Sequence, residues 1–173
     1  MRIGIDIDDT LCNTKALQSI YWKEYFNNQP DDEYTEELPF NINHFGYEYI
    51  NGFWNTYRYK LFSPSIKDNV KEVMEELRNK GCSFYIVTSR PKEYYDDLDS
   101  MIKDWLGSEG LEFDDIYTGV LDKGQFIVDN NIDLLIDDDE RHINRCRELN
   151  KNCIHFNDEM DWLRVRDIII SYL

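Results

Sequence analysis

The first twelve residues, MRIGIDIDDTLC, constrain the fold of this chain more than any other stretch. The run from Ile3 to Ile7 is almost entirely apolar, as is typical of a parallel strand that is buried on both faces. Asp6, Asp8 and Asp9 lie at its end, and like charges this close together repel one another. We therefore expect the carboxyl end of a buried strand to open into a site that holds a compensating cation.

Apolar strand patterns alternate with helical patterns in the rest of the chain. Ser63 and Pro64 predict the start of a helix that Gly81 ends, and Pro91 predicts the start of a helix that closes near Gly107. Further helices are predicted at 122–130, 140–149 and 160–172. The later predicted strands are Cys82–Thr88, Asp115–Thr118, Asp133–Asp137 and Cys153–Phe156. This alternation predicts a three-layer α/β fold with a mostly parallel sheet.

Residues 13–62 differ in composition from the rest of the chain, because they hold more than half of its aromatic residues. A helical pattern extends to about Phe26, and the polar, acidic stretch Asn27–Pro39 predicts a loop. We expect a small, mainly helical cap with its own aromatic core, inserted into a catalytic core made of 1–12 and 63–173.

The charge and the cysteines limit where this protein acts and on what. A net charge of −16 argues against nucleic-acid polymers and anionic membranes as partners, but not against a small phosphorylated ligand. Met1 leads directly into the first predicted strand, so we expect no signal peptide. Isolated cysteines without a CxxC pair indicate reduced thiols in a cytoplasmic protein; they are Cys12, Cys82, Cys146 and Cys153.

Polar side chains follow three of the predicted strands. Since the carboxyl ends of parallel strands lie at one edge of an α/β sheet, we expect these side chains to form one cluster. Carboxylates without an accompanying His or Cys favour Mg²⁺, and a hydroxyl and an ammonium group beside a metal suit a phosphoryl group. The candidates are Asp6, Asp8, Thr88, Ser89, Lys123, Asp137 and Asp138.

The motifs of this cluster resemble those of a known family. DIDDT at Asp6–Thr10 matches the DxDxT signature of the haloacid dehalogenase superfamily of phosphohydrolases. Thr88, Lys123 and the pair Asp137 and Asp138 follow in the order of that superfamily's second, third and fourth motifs. More narrowly, YIVTSRPK, LDK and DLLIDDD are similar to the matching motifs of the 5′(3′)-deoxyribonucleotidases. The resemblance implies a Rossmann-like core with a cap after the first motif.

The resemblance also implies a role for each candidate in catalysis. Asp6 would be the nucleophile that forms an aspartyl-phosphate, and Asp8 would be the general acid and base. Thr88, with Ser89 beside it, would bind the phosphoryl group. Lys123 would offset the charge of the nucleophile and of that group.

The metal site and the substrate follow from the same resemblance. Mg²⁺ would be held by Asp6, by the backbone carbonyl of Asp8, and by Asp137 or Asp138. The enzyme implied is a cytoplasmic 5′-nucleotidase that releases phosphate from nucleoside monophosphates. A phosphatase for another small ester, such as a sugar phosphate, is the alternative within the same chemistry.

Three residues depart from the family patterns. Asp9 stands where glycine is common after the second acid, and Asp139 stands where the nucleotidases usually have arginine. Arg90 precedes Pro91, where the nucleotidases place proline directly after Thr-Ser. These departures weaken the assignment to nucleotides more than the assignment to phosphatase chemistry.

Other polar and aromatic residues have simpler interpretations. Arg90 and Lys92 could steer a phosphate, but we expect them to be solvated on the surface. We expect Asp139 or Glu140 at a helix cap. No catalytic role is expected for the scattered histidines His44, His142 and His155. The cap aromatics are expected in a core, with one or two able to stack on a base; the candidates are Phe45, Tyr47, Trp54 and Tyr57.

Two other classes of protein compete with the phosphatase interpretation. Receiver domains also combine clustered acids, a Thr or Ser and a Lys with an aspartyl-phosphate. Their acid pair is adjacent, however, and their phosphorylated Asp lies on a middle strand ahead of the Thr, unlike Asp6 and Asp8 here. A catalytically silent acidic binding protein is the second competitor. The aromatic content of 13–62 permits a homodimer without requiring one.

Overall fold

The structure is a computed structural model that describes residues 1–27 and 47–173. These residues form two compact units, one made of 1–12 with 66–173 and the other of 13–65. The second boundary thus falls after residue 65, rather than after residue 62 as expected from the sequence. Most of the loop predicted at Asn27–Pro39, together with Phe45 and His44, lies outside the described residues.

The larger unit is built on a five-stranded sheet in which all neighbouring strands are parallel. Its spatial order is β3-β2-β1-β4-β5, so β1 lies at the centre. Ile5 of β1 is fully buried and pairs with Ile86 on one side and with Ile136 on the other. The predicted α/β architecture is confirmed. The strands are β1 (Arg2–Ile5), β2 (Ser83–Val87), β3 (Asp115–Tyr117), β4 (Leu134–Asp137) and β5 (Asn152–His155).

Helices connect and flank these strands. Within the described residues, none of them is long and apolar enough to cross a membrane. The smaller unit contributes α1 (Thr14–Asn27) and α2 (Tyr47–Tyr57). The larger unit contributes α3 (Val70–Asn79), α4 (Leu98–Ser108), α5 (Lys123–Asp129), α6 (Glu140–Glu148) and α7 (Trp162–Tyr172). In this unit α3 packs against α7, and α5 packs against α6.

The smaller unit has an aromatic core of its own. The ring of Trp22 on α1 meets the ring of Phe53 on α2 edge-on, with 4.7 Å between the centroids. Two of the aromatics proposed to stack on a base differ in exposure, since Tyr57 is buried in this core and Tyr47 is 67% exposed. The buried cluster comprises Trp22, Phe26, Ile50, Phe53, Tyr57 and Leu61.

The helix predicted to start at Ser63 and Pro64 begins only at Val70. Ile66 forms an isolated antiparallel bridge with Cys12, and the N–H of Lys67 donates to the carbonyl of Leu11 at 3.0 Å. The chain is therefore extended at these positions and cannot be helical there. The helix starts after Asn69, whose φ of +62° is in the left-handed region.

The prediction that a helix starts at Pro91 is also wrong. Pro91 is extended, and only a short 3₁₀ turn, Lys92–Tyr94, follows it. Helix α4 begins at Leu98, where the side chain of Asp97 accepts a hydrogen bond from the N–H of Ser100 at 3.2 Å. A side-chain cap satisfies an N–H group that the first turn leaves without a partner, so Asp97 sets the start of this helix.

Gly124 allows α5 to lie close to α6. A methyl group built on Gly124 would be 2.5 Å from Cγ and 3.0 Å from the carbonyl carbon of Arg145. We expect Gly124→Ala to lower the free energy of unfolding by about 1 to 3 kcal/mol, because the packed helices must separate. Urea denaturation measures the change.

Gly107 of α4 provides the matched control, because a methyl group there would have no atom within 4 Å. Gly107→Ala should leave stability unchanged or raise it by up to about 1 kcal/mol, through the lower helix propensity of glycine. Equal effects of the two substitutions would contradict the close approach at Gly124.

Candidate active site

The order of the strands creates a crevice between β1 and β4. The chain runs outward from β1 through β2 to β3 and then returns to place β4 on the other side of β1. Ligands of open α/β sheets bind at such a reversal, outside the carboxyl ends of the strands. Receiver-like sheets have the order 2-1-3-4-5 instead, so this topology differs from the competing signalling module. Asp6 and Asp137 lie at this crevice, and the N–H of Asp6 donates to the carbonyl of Ile136 at 3.0 Å.

Lys123 joins the two sides of the crevice. Its Nζ donates to Oδ1 of Asp6 at 2.6 Å and to Oδ2 of Asp137 at 2.7 Å. All three side chains are buried, with Lys123 2% exposed and Asp137 fully covered. Lys123 is the first residue of α5, and Asp122 caps that helix by accepting from the N–H of Gln125 at 2.9 Å. The cap therefore helps to fix the lysine between the carboxylates.

One buried cation does not compensate two buried carboxylates. Burial raises the pKa of Asp6 to about 8, and the charges of Asp137 and Asp8 act in the same direction, against that of Lys123. Burial lowers the pKa of Lys123, but Asp6 and Asp137 outweigh it and hold that pKa above its usual value. These pKa shifts favour the charged form of Lys123 and the protonated form of Asp6, and further positive charge would favour the ionised form of Asp6.

The same carboxylates suit a metal ion. Asp6, Asp137 and Asp138 each offer a carboxylate oxygen, and these oxygens lie within 4.8 Å of one another. Oxygen ligands of this kind fit a hard divalent cation such as Mg²⁺. Oδ2 of Asp137 already accepts from Lys123, and its Oδ1 accepts from the N–H of Asp139 at 2.9 Å. Both carboxylate oxygens of Asp137 are therefore engaged by hydrogen bonds.

Thr88 and Ser89 lie at the carboxyl end of β2, beside β1. Thr88 is buried, and its Oγ1 accepts from the N–H of Arg90 at 3.2 Å. Ser89 donates its hydroxyl hydrogen to the carbonyl of Val120 at 2.8 Å. Ser89 does not cap a helix, because no helix starts at Pro91. Its side chain instead fixes this loop to the one that follows β3.

Arg90 corrects an expectation from the sequence, which placed it on the surface. Its side chain is only 9% exposed, and it forms a two-point ion pair with Asp8. Nε donates to Oδ2 at 3.0 Å and Nη2 donates to Oδ1 at 2.8 Å. The partners are 82 residues apart, so no local pattern indicated the pair. Lys92, in contrast, is exposed as expected and pairs with Asp99.

Two of the residues that depart from the family patterns have structural roles. Asp9 has a φ of +56° and therefore occupies the left-handed region. Asp tolerates that conformation better than most residues with a side chain, so it can stand where glycine is common. Asp139 caps α6 by accepting from the N–H of Arg141 at 2.8 Å, which confirms the expected cap.

His142 is a neighbour of the site that the sequence did not indicate. It is buried on α6, and its Nε2 lies 3.5 Å from Oγ of Ser89. Burial lowers its pKa, and the charge of Lys123 acts in the same direction. The lowered pKa favours the neutral form of the imidazole, although the charges of Asp137 and Asp139 act in the opposite direction.

Removal of Lys123 tests the electrostatic balance of the site. We expect Lys123→Ala to lower the free energy of unfolding by about 3 to 5 kcal/mol at pH 8 in chelator, because the buried carboxylates lose their cation. Millimolar Mg²⁺ should restore part of the loss, because it binds the folded state and supplies charge. Urea denaturation with and without Mg²⁺ measures both effects.

The control for this variant is Lys103→Ala, on an exposed position of α4. It should change stability by less than about 0.5 kcal/mol, with no added response to Mg²⁺. A Lys123→Ala protein that Mg²⁺ does not stabilise would contradict a cation site at the carboxylates.

The pH dependence of stability tests the Asp6 carboxyl directly. Its pKa rises from the ordinary value of 3.8 to about 8 on folding, so the folded state binds more protons between these values. The free energy of unfolding should therefore fall as pH rises from about 4 to about 8 in metal-free buffer. Asp6→Asn should remove this contribution, so the difference between the two proteins should change with pH. A constant difference would contradict the shift.

The fold of this chain is similar to the folds of several solved proteins. No protein-family model and no curated protein matches the sequence. A predicted phosphatase from Clostridium acetobutylicum has a similar structure, with 16% identity, 98% of each chain covered and a TM-score of 0.72. A haloacid dehalogenase-like hydrolase from Streptococcus pneumoniae matches with 15% identity, 99% and 97% coverage and a TM-score of 0.66. A predicted phosphoglycolate phosphatase from Haemophilus somnus matches with 16% identity, 88% and 82% coverage and a TM-score of 0.56.

These likenesses concern the fold. All three matches include most of this chain and most of the solved chain, so they extend beyond the central sheet. The identities are too low to carry residue roles from one protein to another. This chain therefore has the fold of haloacid dehalogenase-like hydrolases, as the motifs at its strand ends implied.

Proposed function

We propose that this protein is a Mg²⁺-dependent phosphomonoesterase that acts through an aspartyl-phosphate on Asp6. The observation that carries the proposal is the buried contact of Lys123 with both Asp6 and Asp137, beside the carboxylate of Asp138. A surplus of buried negative charge at the switch point of an α/β sheet suits a cation and a phosphoryl group. The solved structures with the same fold that are described as phosphatases support this assignment.

Asp6 is the proposed nucleophile. An oxygen of its carboxylate attacks phosphorus, and the bond from phosphorus to the ester oxygen breaks. Lys123, at 2.6 Å, holds the carboxylate in place and offsets charge as the phosphoryl group is transferred. When bound by Asp6, the backbone carbonyl of Asp8 and Asp138 or Asp137, Mg²⁺ would neutralise the surplus charge and keep Asp6 ionised.

Asp8 is the proposed general acid and base. Asp8 begins the cycle protonated and gives this proton to the leaving alkoxide in the first step, which leaves its carboxylate ionised. In the second step it takes a proton from water, which attacks the phosphorus of the aspartyl-phosphate. The bond to Asp6 then breaks, and inorganic phosphate and the free carboxylate are released. Thr88 is the proposed hydrogen-bond donor to a phosphoryl oxygen, with Ser89 in the same loop.

The proposed substrate is a small phosphate ester. Nucleoside monophosphates are the first candidates, because YIVTSRPK, LDK and DLLIDDD are similar to deoxyribonucleotidase motifs. The Haemophilus somnus protein is described as a predicted phosphoglycolate phosphatase, so small phosphorylated acids are candidates as well. Sugar phosphates are the alternative within the same chemistry. Arg90 and Asp139 also depart from the nucleotidase motifs, which favours substrates other than nucleotides.

Phosphate release tests the proposal. We expect the protein to release phosphate from at least one member of a panel of nucleoside monophosphates, sugar phosphates, phosphoglycolate and para-nitrophenyl phosphate. Asp6→Asn should abolish the release, because the amide cannot act as the nucleophile. A chelator should abolish it as well, and added Mg²⁺ should restore it.

The outcomes separate the mechanism from the substrate. Turnover that persists in Asp6→Asn or in chelator would contradict the mechanism. Cleavage of sugar phosphates or phosphoglycolate without cleavage of any nucleotide would remove the nucleotidase proposal and leave the mechanism standing.

A further inference from the structure

Hydrogen bonds and a ring contact hold Arg90 in place at the site. Its N–H donates to Oγ1 of Thr88, and its carbonyl accepts from the N–H of Gly119 at 2.9 Å. Its guanidinium lies over the ring of Trp105, 5.3 Å from the ring centroid. Backbone and side chain are therefore both held, which leaves the guanidinium little freedom to turn.

The guanidinium faces the carboxylate of Asp8. Two donors in one plane, Nε and Nη2, meet the two oxygens of the carboxylate at 3.0 and 2.8 Å. A fork of this kind sets the direction of a carboxylate as well as its position, which a point charge such as an ammonium group does not. A carboxylate has about four lone-pair sites, so the fork leaves sites at which Asp8 can exchange a proton.

We propose that Arg90 is the positioning residue for Asp8, and that it orients this carboxylate for proton transfer to the leaving group. The proposal rests on the proposed phosphomonoesterase function and adds a residue that the resemblance does not supply. Arg90 acts through Asp8 and has no proposed contact with the phosphoryl group. Misplacement of a catalytic group by about 1 Å can cost on the order of 10²-fold in rate, so such a residue has a measurable effect.

The leaving group of the substrate distinguishes this role from others. An alkoxide needs a proton as it departs, whereas para-nitrophenolate departs without one. Since kcat/KM reports the steps up to the first irreversible transfer, it isolates the step in which Asp8 is the acid. An alkyl phosphate that the wild-type protein hydrolyses and para-nitrophenyl phosphate therefore form the substrate pair.

We expect Arg90→Gln to lower kcat/KM for the alkyl phosphate on the order of 10²-fold and to affect the aryl phosphate much less. The inhibition constant of inorganic phosphate should not change. Asp8→Asn should show the same dependence on the leaving group. The double variant with Asp8→Asn should be no slower than Asp8→Asn alone, because residues that act as a unit are not additive.

Two further variants complete the test. Lys92→Gln is the matched control in the same loop, because Lys92 is 57% exposed and pairs only with the half-buried Asp99 among the described ion pairs. It should leave both activities unchanged. Arg90→Lys keeps the charge but lacks the fork, so it should show the same selective loss as Arg90→Gln. Circular dichroism and aryl phosphatase activity show whether Arg90→Gln folds. If it does not fold, Arg90→Lys takes its place in the test.

The following outcomes would overturn the inference. An equal loss with both substrates, or a raised inhibition constant for phosphate, would mean that Arg90 contacts the phosphoryl group. No loss with either substrate, or full alkyl phosphatase activity in Arg90→Lys, would mean that the orientation of Asp8 does not depend on the fork. A wild-type protein that released phosphate from no ester would overturn the proposed function as well, which separates that failure from this one.

Discussion

The contact of Lys123 with Asp6 and Asp137 is the interaction on which the rest of the site depends. It places one positive charge between two carboxylates that are almost entirely removed from water. A buried ion pair gains stability only when its geometry is good and its remaining charges are compensated. Ionised together, the two carboxylates carry one negative charge more than Lys123 offsets. Burial above all, and then the charges of Asp137 and Asp8, raise the pKa of Asp6. A further cation would favour the ionised form of Asp6, which is compatible with the proposed Mg²⁺ site.

Such a site can exist because the topology brings the strand ends together. Asp6 and Asp137 are far apart in the sequence, but β1 and β4 are neighbours in the sheet. Lys123 reaches both because it opens a helix that packs against α6, the helix that follows Asp137 to Asp139. Gly124 allows these helices to approach closely, so the packing of the helix pair and the placement of the lysine are parts of one arrangement.

Asp6 and Asp8 are two residues apart in the sequence, but their carboxyl groups have different surroundings. Asp6 is buried against an ammonium group and another carboxylate, whereas Asp8 is 34% exposed and faces the guanidinium of Arg90. Two acids in different surroundings can take different tasks in one reaction. The division of work proposed for them, nucleophile and proton carrier, is consistent with this difference.

The sequence by itself determined the α/β class and the existence of a cluster at one sheet edge. Both follow from local patterns, namely apolar runs such as Ile3–Ile7 that are followed by polar side chains. The cluster includes Asp6 and Lys123. The helix start at Val70 was not predictable in the same way, because a bridge between Ile66 and Cys12 overrides the local signal at Ser63 and Pro64.

Only the tertiary structure decided that Arg90 pairs with Asp8 and that Asp9 has a positive φ. The pairing of Arg90 with Asp8 depends on the neighbouring positions of β1 and β2, and on a tryptophan of α4 that covers the guanidinium. No pattern within a few residues of Arg90 contains that information. Asp9 looked like an extra charge in the sequence, but its positive φ makes it the residue that turns the chain after β1. Local chemistry indicated which residues gather at this edge, and long-range packing decided which of them meet.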